Sequence, residues 1–271
     1  MPPFATRTQI LRSKMSDSDS NDLPESSAQP ETTEVERDEH GVPLNVPNAK
    51  RIKSFVVRKG RISPAHRELY AQHFAQKGLT LEGGKLDYAA VFGNDNPVVL
   101  EVGFGMGKSL VEMCQANPHL NYIGIEVHTP GVARLLRDAE EMGVENLRVY
   151  EFDAIEILAH CIPDDSLQTM QLFFPDPWHK ARHNKRRILT LQFAETIRKK
   201  LKVGGTFHMA TDWEHYAEQM LEVMESAPGY ENIAGKGEYH PRPDFRPLTK
   251  FENRGEKLGH GVWDLIYKKV N

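Results

Sequence analysis

The segment Val98-Val-Leu-Glu-Val-Gly-Phe-Gly-Met-Gly107 joins a short apolar run to three closely spaced glycines. Residues 98–102 have the pattern of a buried strand, and residues 108–116 have the periodicity of an amphipathic helix. A strand that turns through glycines into a helix is typical of a crossover unit in an α/β protein. The segment therefore predicts an α/β fold with a ligand site at this turn.

The alternation of strand and helix continues along the chain. Further strands are predicted at 122–125, 147–152, 167–173 and 206–210, and further helices at 132–142, 154–160, 188–201 and 214–226. Such an alternation implies right-handed crossovers and a mostly parallel sheet covered by helices on both faces. Because ligands of these sheets bind outside the carboxyl ends of the strands, functional residues are expected there.

The spacing of the glycines separates three possible ligands. A dinucleotide fingerprint needs its third glycine where Lys108 stands, and a phosphate-binding loop needs a glycine where Val102 stands. The pattern acid-x-Gly-x-Gly-x-Gly, which resembles the loop that holds S-adenosylmethionine, fits from Glu101 to Gly107. This ligand has no phosphate and needs no lysine, so the loop favours S-adenosylmethionine.

Acidic residues follow the remaining predicted strands: Glu126, Asp153, Asp176 and Asp212. A single acid after a strand is often only a helix cap, but capping alone does not explain the whole series. With S-adenosylmethionine bound, Glu101 would lie near the aminoacyl end. Glu126 would accept from both ribose hydroxyls, and Asp153 would accept from the adenine amine.

The strand at 167–173 leads into Pro175-Asp-Pro-Trp-His-Lys180, which presents a carboxylate, an aromatic ring and a cation together. Prolines on both sides of Asp176 restrict its backbone and disfavour a helix through the turn. This arrangement is suited to holding a planar, polar ring. Trp178 could stack on that ring or pack against the end of the sheet, and the sequence leaves both open.

Charge is distributed unevenly along the 271 residues. Residues 1–40 hold nine acids and four bases and few large apolar side chains, so they are predicted to be a disordered acidic tail. The rest is near neutral but contains two basic runs without acids, seven Lys or Arg at 50–67 and five at 180–187. One such run is usually solvated surface, but two, one of them beside the Asp176 turn, favour an anionic partner.

The sequence argues against a disulfide-bonded secreted protein, a membrane protein and a metal-binding protein. Cys114 and Cys161 lie in apolar helical patterns and predict buried free thiols in a reducing compartment. With no stretch long enough to span a membrane and no secretory signal, a cytoplasmic location without membrane contact is expected. His179 and His183 have a metal-binding spacing, but the residue after His179 is a lysine, so no metal is predicted.

The chain resembles the tRNA (guanine-N7)-methyltransferase family, of bacterial type, over about residues 51–268. The likeness is carried by RIKSF at 51–55, LEVGFGMG at 100–107, GIEVH at 124–128, FFPDPWHKARHNKRR at 173–187, ATDW at 210–213 and TKFE at 249–252. It implies a Rossmann-like class I methyltransferase fold with a seven-stranded, mostly parallel sheet. It also implies S-adenosylmethionine as cofactor and N7 of a guanosine in the tRNA variable loop as target. The sequence gives no sign of an obligate protein partner.

On this basis the chain is divided into the acidic tail at 1–40, a basic extension with an RNA-binding segment at 41–95, and a methyltransferase domain at 96–271. The expected catalytic residue is Asp176. The expected cofactor contacts are Glu101, Gly103, Gly105, Glu126, Asp153 and Asp176. The expected RNA contacts are Lys180, Arg182, His183, Asn184, Lys185, Arg186, Arg187, Asp212, Thr249, Lys250, Phe251 and Glu252.

Guanine N7 has an in-plane lone pair, so its methylation needs positioning more than a general base. Asp176 is predicted to orient the base and stabilise the developing positive charge, and Asp212 is the alternative residue for that role. Three other functions stay open. A small-molecule methyltransferase leaves the basic runs unexplained, and a nucleoside triphosphatase conflicts with Val102 and with the proline-flanked turn. An RNA-binding protein with an inactive methyltransferase fold is not excluded by the sequence.

Overall fold

The computed structural model describes residues 53–55, 64–248, 252 and 261–271, with residues 64–66 and 69 described by their backbone alone. The predicted tail at 1–40 lies outside the described residues, as does most of the first basic run. The described strands are β1 (Gly78–Leu79), β2 (Val98–Val102), β3 (Asn121–Glu126), β4 (Leu147–Glu151), β5 (Leu167–Phe173), β6 (Leu201–Thr211), β7 (Tyr230–Asn232) and β8 (Trp263–Lys269). The described helices are α1 (Pro64–Lys77), α2 (Tyr88–Phe92), α3 (Lys108–Ala116), α4 (Thr129–Glu141), α5 (Ala154–His160), α6 (Leu191–Lys200) and α7 (Glu214–Ser226).

These strands form one sheet in the order β1-β4-β3-β2-β5-β6-β8-β7. All pairs from β1 to β6 are parallel, whereas β8 runs antiparallel to β6 and to β7. The predicted α/β, Rossmann-like methyltransferase fold is therefore confirmed. The sheet has eight described strands rather than seven because the two-residue strand β1 adds to its edge beside β4.

The central strand β2 is buried along its whole length because helices cover both faces of the sheet. Its alternate residues enter two different cores, as the pleat of a strand requires. Val98, Leu100 and Val102 join a core with α5, α6 and α7. Val99 joins the core formed with α3 and α4 on the other face.

The residues before β2, which the sequence placed in a separate extension, are joined to the sheet where they are described. Helix α1 contacts α4, and β1 pairs with β4 through Gly78 and Val149. Residues 64–79 therefore add a helix and an edge strand to the same α/β unit.

Helix α6 begins at Leu191 instead of residue 188. The hydroxyl of Thr190 accepts a hydrogen bond of 3.1 Å from the backbone N–H of Phe193 and caps the helix. Residues 188–189 consequently belong to the connection that leads from the Asp176 turn into the helix. Within the described residues, no helix is both long and apolar enough to cross a membrane.

Candidate active site

The glycine loop between β2 and α3 has a conformation that requires glycine. Gly103, Gly105 and Gly107 have φ angles of 77°, 59° and 76°, in the left-handed region that other residues rarely adopt. Helix α4 begins against this loop, since a Cβ placed on Gly131 would lie 2.0 Å from the carbonyl oxygen of Gly105. The loop is thus held between the end of β2 and the first turn of α4.

Glu126, at the end of β3, fixes the loop through backbone hydrogen bonds. One carboxylate oxygen accepts from the N–H of Gly105 at 2.8 Å, and the other accepts from Val127 at 2.7 Å and from His128 at 3.0 Å. Burial raises the pKa of Glu126, and these three hydrogen bonds oppose that rise by favouring the charged form. Three of about four acceptor positions of the carboxylate are in use, so one remains for a ligand hydroxyl, and not the two that contact with both ribose hydroxyls would need.

Glu101 lies in the interior of the sheet rather than at the surface of the cleft. It is 4% exposed, and its Oε2 atom has no hydrogen-bond partner. Burial raises its pKa to about 8, with a further rise from the nearby Glu126 carboxylate. The predicted cofactor acid is therefore a buried carboxyl group directly beneath the glycine loop.

Asp153 follows β4 and serves as a helix cap, one of the roles that an acid in this position can have. Its Oδ1 atom accepts a hydrogen bond of 3.0 Å from the backbone N–H of Ile155 at the start of α5. The same residue also lines the ligand cleft. Asp153 therefore combines helix capping with a position on the wall of the cleft.

A cleft of about 200 Å³ at the carboxyl edge of the sheet brings several predicted site residues together. Its lining includes Gly103, Glu126, Asp153 and Asp176. Apolar side chains of Val102, Ile125, Phe152, Leu172 and Ile188 form its floor and walls, and Ser54 and Phe55 border it from the N-terminal segment. Glu101 is absent from this lining among the described residues.

The turn after β5 has an unusual backbone. Phe174 and Trp178 both have a φ of 49°, a left-handed conformation that costs about 1–2 kcal/mol for a residue with a side chain. The N–H of Phe174 donates to the carbonyl of Ala210 on β6 at 2.8 Å and fixes the start of the turn. Asp176 lies between these two residues with its side chain exposed at the cleft.

Arg187 holds the other side of the turn from within the protein. It is 4% exposed, and its Nε atom donates to the carbonyl oxygen of Pro177 at 2.8 Å. Its guanidinium also donates to Gln219 and lies 4.6 Å from the ring centre of Tyr216. The predicted role of this residue in RNA contact does not agree with its burial, because the guanidinium is already used within the protein.

The side chain of Trp178 packs against neighbouring residues of the protein. Its indole N–H donates to the carbonyl oxygen of Ser54 at 3.2 Å, and the guanidinium of Arg186 lies over the ring at 4.7 Å. The ring of His183 contacts it edge to face at 6.0 Å. Of the two interpretations of Trp178, packing is therefore the one that its contacts support.

The basic residues after the turn form a surface around a short 3₁₀ helix, Ala181–Arg186. Lys180, Arg182 and Lys185 are exposed, and the remaining members of this surface, His183, Asn184 and Arg186, are half-buried. Desolvation, followed by the repulsion of the neighbouring cations, lowers the pKa of His183. We call these six residues the basic surface.

Asp212 is half-buried after the end of β6, whereas Glu252 is 2% exposed and paired. Glu252 accepts from Arg246 at 2.6 Å, and Arg246 also binds both oxygens of Asp264 at 2.8 Å. The predicted RNA contact of Glu252 therefore conflicts with its position in a buried ion-pair network. Thr249, Lys250 and Phe251 lie outside the described residues.

The sequence prediction did not assign a role to Arg246 or to Trp213. Arg246 is fully buried and lies 5.6 Å from the ring centre of Phe174, so it supports the turn from below. Trp213 was part of the ATDW segment, and it is 39% exposed next to Asp212. The signal for Trp213 was its position one residue after a strand-end acid.

Comparison with known proteins agrees with this geometry. The model of the family described as putative methyltransferase matches residues 95–265. A tRNA (guanine-N(7)-)-methyltransferase of Colwellia psychrerythraea is 61% identical over 220 residues, which cover 81% of this chain and 90% of the relative. The enzyme of the same name from Pseudoalteromonas translucida is 59% identical and covers 82% of this chain and 92% of its own.

Among solved structures, an rRNA methylase from Streptococcus thermophilus is 12% identical, with a TM-score of 0.45, and covers 66% of this chain and 89% of its own. That likeness is too weak to support an argument about the site. The sequence relatives are far closer and extend over most of both chains. The chain belongs to the tRNA (guanine-N(7)-)-methyltransferase family.

Proposed function

We propose that the protein transfers the methyl group of S-adenosylmethionine to N7 of a guanosine in the variable loop of tRNA. The observation that carries this proposal is the cleft in which the glycine loop, Glu126, Asp153 and Asp176 meet beside the basic surface. The names of the close relatives support the same reaction and the same class of substrate.

The residues of the cleft fit the proposed cofactor. Glu126 has one acceptor position left for a ribose hydroxyl, and its other positions keep the loop at Gly105 in place. Asp153 lines the cleft and caps the first turn of α5. The apolar lining near Phe152 offers a surface for a planar base, and the unpartnered Oε2 of Glu101 offers a buried acceptor beneath the loop.

The reaction needs little acid–base chemistry from the protein. Bound S-adenosylmethionine would supply an electrophilic methyl group on a sulfonium. Asp176 is exposed at the cleft, where its carboxylate would accept from the N1 and N2 hydrogens of guanine or stabilise the positive charge that methylation leaves on the ring. Adenine lacks those two donors, so the same contact would select guanine.

The basic surface would bind the tRNA backbone. Lys180, Arg182 and Lys185 are exposed beside the turn that carries Asp176, so phosphates held there would place the variable loop over the cleft. Recognition of the folded shape of tRNA is expected to dominate, because paired RNA exposes few base edges to a protein. Asp212, at the end of the adjacent strand, is the second candidate for contact with the base.

The proposal is tested by incubating the purified protein with unmodified tRNA and methyl-labelled S-adenosylmethionine. The label should map to one variable-loop guanosine by cleavage at 7-methylguanosine. A matched tRNA with 7-deazaguanosine at that position should accept no label, because it lacks the N7 atom. Transfer to both tRNAs, or transfer to small molecules only, would overturn the proposed reaction.

The role of Asp176 has its own test. Asp176→Asn keeps the size of the side chain but removes its charge, so the single-turnover rate at saturating tRNA should fall by about 100-fold. Because the side chain is exposed, the stability of the variant should stay close to that of the wild type. A wild-type rate in the variant would show that Asp176 neither orients the base nor stabilises its charge.

A further inference from the structure

The two tryptophans at the carboxyl edge of the sheet differ in their contacts within the protein and in their exposure. Trp178 donates its N–H to Ser54 and has the Arg186 guanidinium over its ring. Trp213, in contrast, leaves 39% of its surface exposed although it is a large aromatic residue. An exposed tryptophan next to a functional edge requires an explanation, since tryptophan is highly buried on average.

The backbone of Trp213 is fixed by regular structure. Its N–H donates to the hydroxyl of Thr211 at 3.2 Å, and its carbonyl accepts from Tyr216 and Ala217 at 2.9 and 3.0 Å at the start of α7. The indole is therefore carried by the junction of β6 and α7 and not by a long loop. A ring held in this way loses little further conformational entropy when a ligand binds.

The second ring of the pair comes from the neighbouring strand. His179, in the turn after β5, lies 4.3 Å from Trp213 between ring centres, at an interplanar angle of 75°. In an edge-to-face pair of this kind, the imidazole covers at most one face of the indole. The other indole face stays uncovered by it, and His179 restrains the rotation of the ring.

Strand register places this pair beside the proposed catalytic residue. Phe173 pairs with Ala210 in the parallel ladder of β5 and β6. Asp176 and Trp213 each follow that pair by three residues, 176 − 173 and 213 − 210, so both lie just beyond the same carboxyl end. Asp212 lies immediately before Trp213 on the same side of the fold.

We propose that Trp213, restrained by His179, is the stacking residue for the target guanine. This inference rests on the proposed function, because it assigns a contact of the same base. Stacking suits a purine, and tryptophan is the aromatic side chain that interacts best with a cation over its face. Methylation makes the guanine ring cationic, so the contact strengthens as the charge develops and contributes to the rate as well as to binding.

The test compares Trp213→Leu, which removes the aromatic face, with Trp213→Phe, which keeps a smaller one. The single-turnover rate with unmodified tRNA should fall by about 5- to 150-fold in Trp213→Leu and by much less in Trp213→Phe. Cofactor affinity by calorimetry should stay within about twofold of the wild type, because the side chain is absent from the described cleft lining. Val203→Ala, an exposed apolar residue at the amino end of β6, serves as the control and should behave as the wild type.

Fluorescence gives a second readout that does not depend on catalysis. The chain has three tryptophans, and unmodified tRNA should quench the emission of the wild type more than that of Trp213→Phe. Equal rates in Trp213→Leu and the wild type, or equal quenching in Trp213→Phe and the wild type, would overturn the stacking role. A wild-type protein that methylates no N7 would instead overturn the proposed function, and the two failures are therefore distinguishable.

Discussion

The Nε atom of Arg187 lies 2.8 Å from the carbonyl oxygen of Pro177 and donates a hydrogen bond to it. This contact joins the last residue of a strongly basic run to the turn that presents Asp176. A guanidinium buried in this way fixes the turn from behind, because its planar set of donors reaches Pro177 and Gln219 at once. The guanidinium of Arg187 thus stabilises the turn that carries Asp176.

Arg187→Met should therefore destabilise the protein by about 2–3 kcal/mol, since buried acceptors lose a charged donor. It should also slow methyl transfer, because Asp176 loses its support, while the salt dependence of tRNA binding stays unchanged. Urea unfolding and binding at several salt concentrations measure these effects. Arg182→Met, at an exposed position, is the control and should show the reverse pattern. An altered salt slope without lost stability in Arg187→Met would contradict this assignment.

The exposed members of the basic surface should control the electrostatic part of tRNA binding. Replacing both Lys180 and Lys185 by glutamine should lower the slope of log affinity against log salt by about 2, since each phosphate contact releases about one counterion. The matched control replaces Lys199 and Lys202, which are exposed near the amino edge of the sheet. If both pairs changed the slope equally, tRNA would not be held at the basic surface in particular.

Glu101 should make stability depend on pH. Burial raises its pKa from 4.5 to about 8 in the folded protein, so the folded state binds more protons than the unfolded chain between these values. The stabilisation is fully present below pH 4.5 and is lost as the pH rises to about 8. Within that window the wild type should lose up to about 1.4 kcal/mol per pH unit relative to Glu101→Gln. Urea unfolding of both proteins from pH 5 to 8 measures the difference, and parallel curves would contradict it.

The ion-pair network around Arg246 should contribute far more to the free energy of unfolding than a surface ion pair does. Arg246→Met leaves the buried carboxylates of Asp264 and Glu252 without their cation and should cost about 3–5 kcal/mol in unfolding free energy. Lys268→Met breaks an exposed pair with Glu231, at 3.1 Å, and should cost less than about 1 kcal/mol. Similar losses in the two variants would mean that the buried network contributes no more than a solvated one.

The strands and helices from 98 to 226 were predictable because the apolar residues that face the core recur with the period of a strand or a helix. Strand β8 was not predicted, although it is buried along most of its length. Its pattern is interrupted by Asp264, whose carboxylate is buried with His208 at 2.7 Å and with Arg246. Because the partners of Asp264 are distant in the sequence, the residue reads as an exposed polar position. The apolar pattern that predicts a buried strand is therefore interrupted at Asp264.

The same limit applies within the site. Composition identified a basic run, but it could not distinguish Lys185, which is exposed, from Arg187, which is buried and donates to Pro177 and to Gln219, the latter 32 residues away on a helix. The sequence drew attention to Trp178 and assigned no role to Trp213, although the indole of Trp178 is engaged by Ser54 and Trp213 is exposed. Residue types indicated that the carboxyl edge of the sheet binds a ligand. Only the packing showed which side chains at that edge are exposed to contact it.

The three backbone contacts of Glu126 have a consequence for attempts to redesign the donor site. A substitution intended to admit a sugar-modified cofactor would also release the N–H of Gly105 and loosen the loop. Ligand preference and loop architecture therefore cannot be altered separately at this position. Engineering of donor analogues should begin with the adenine end or the apolar wall, where a side chain can be changed without dismantling the backbone around it.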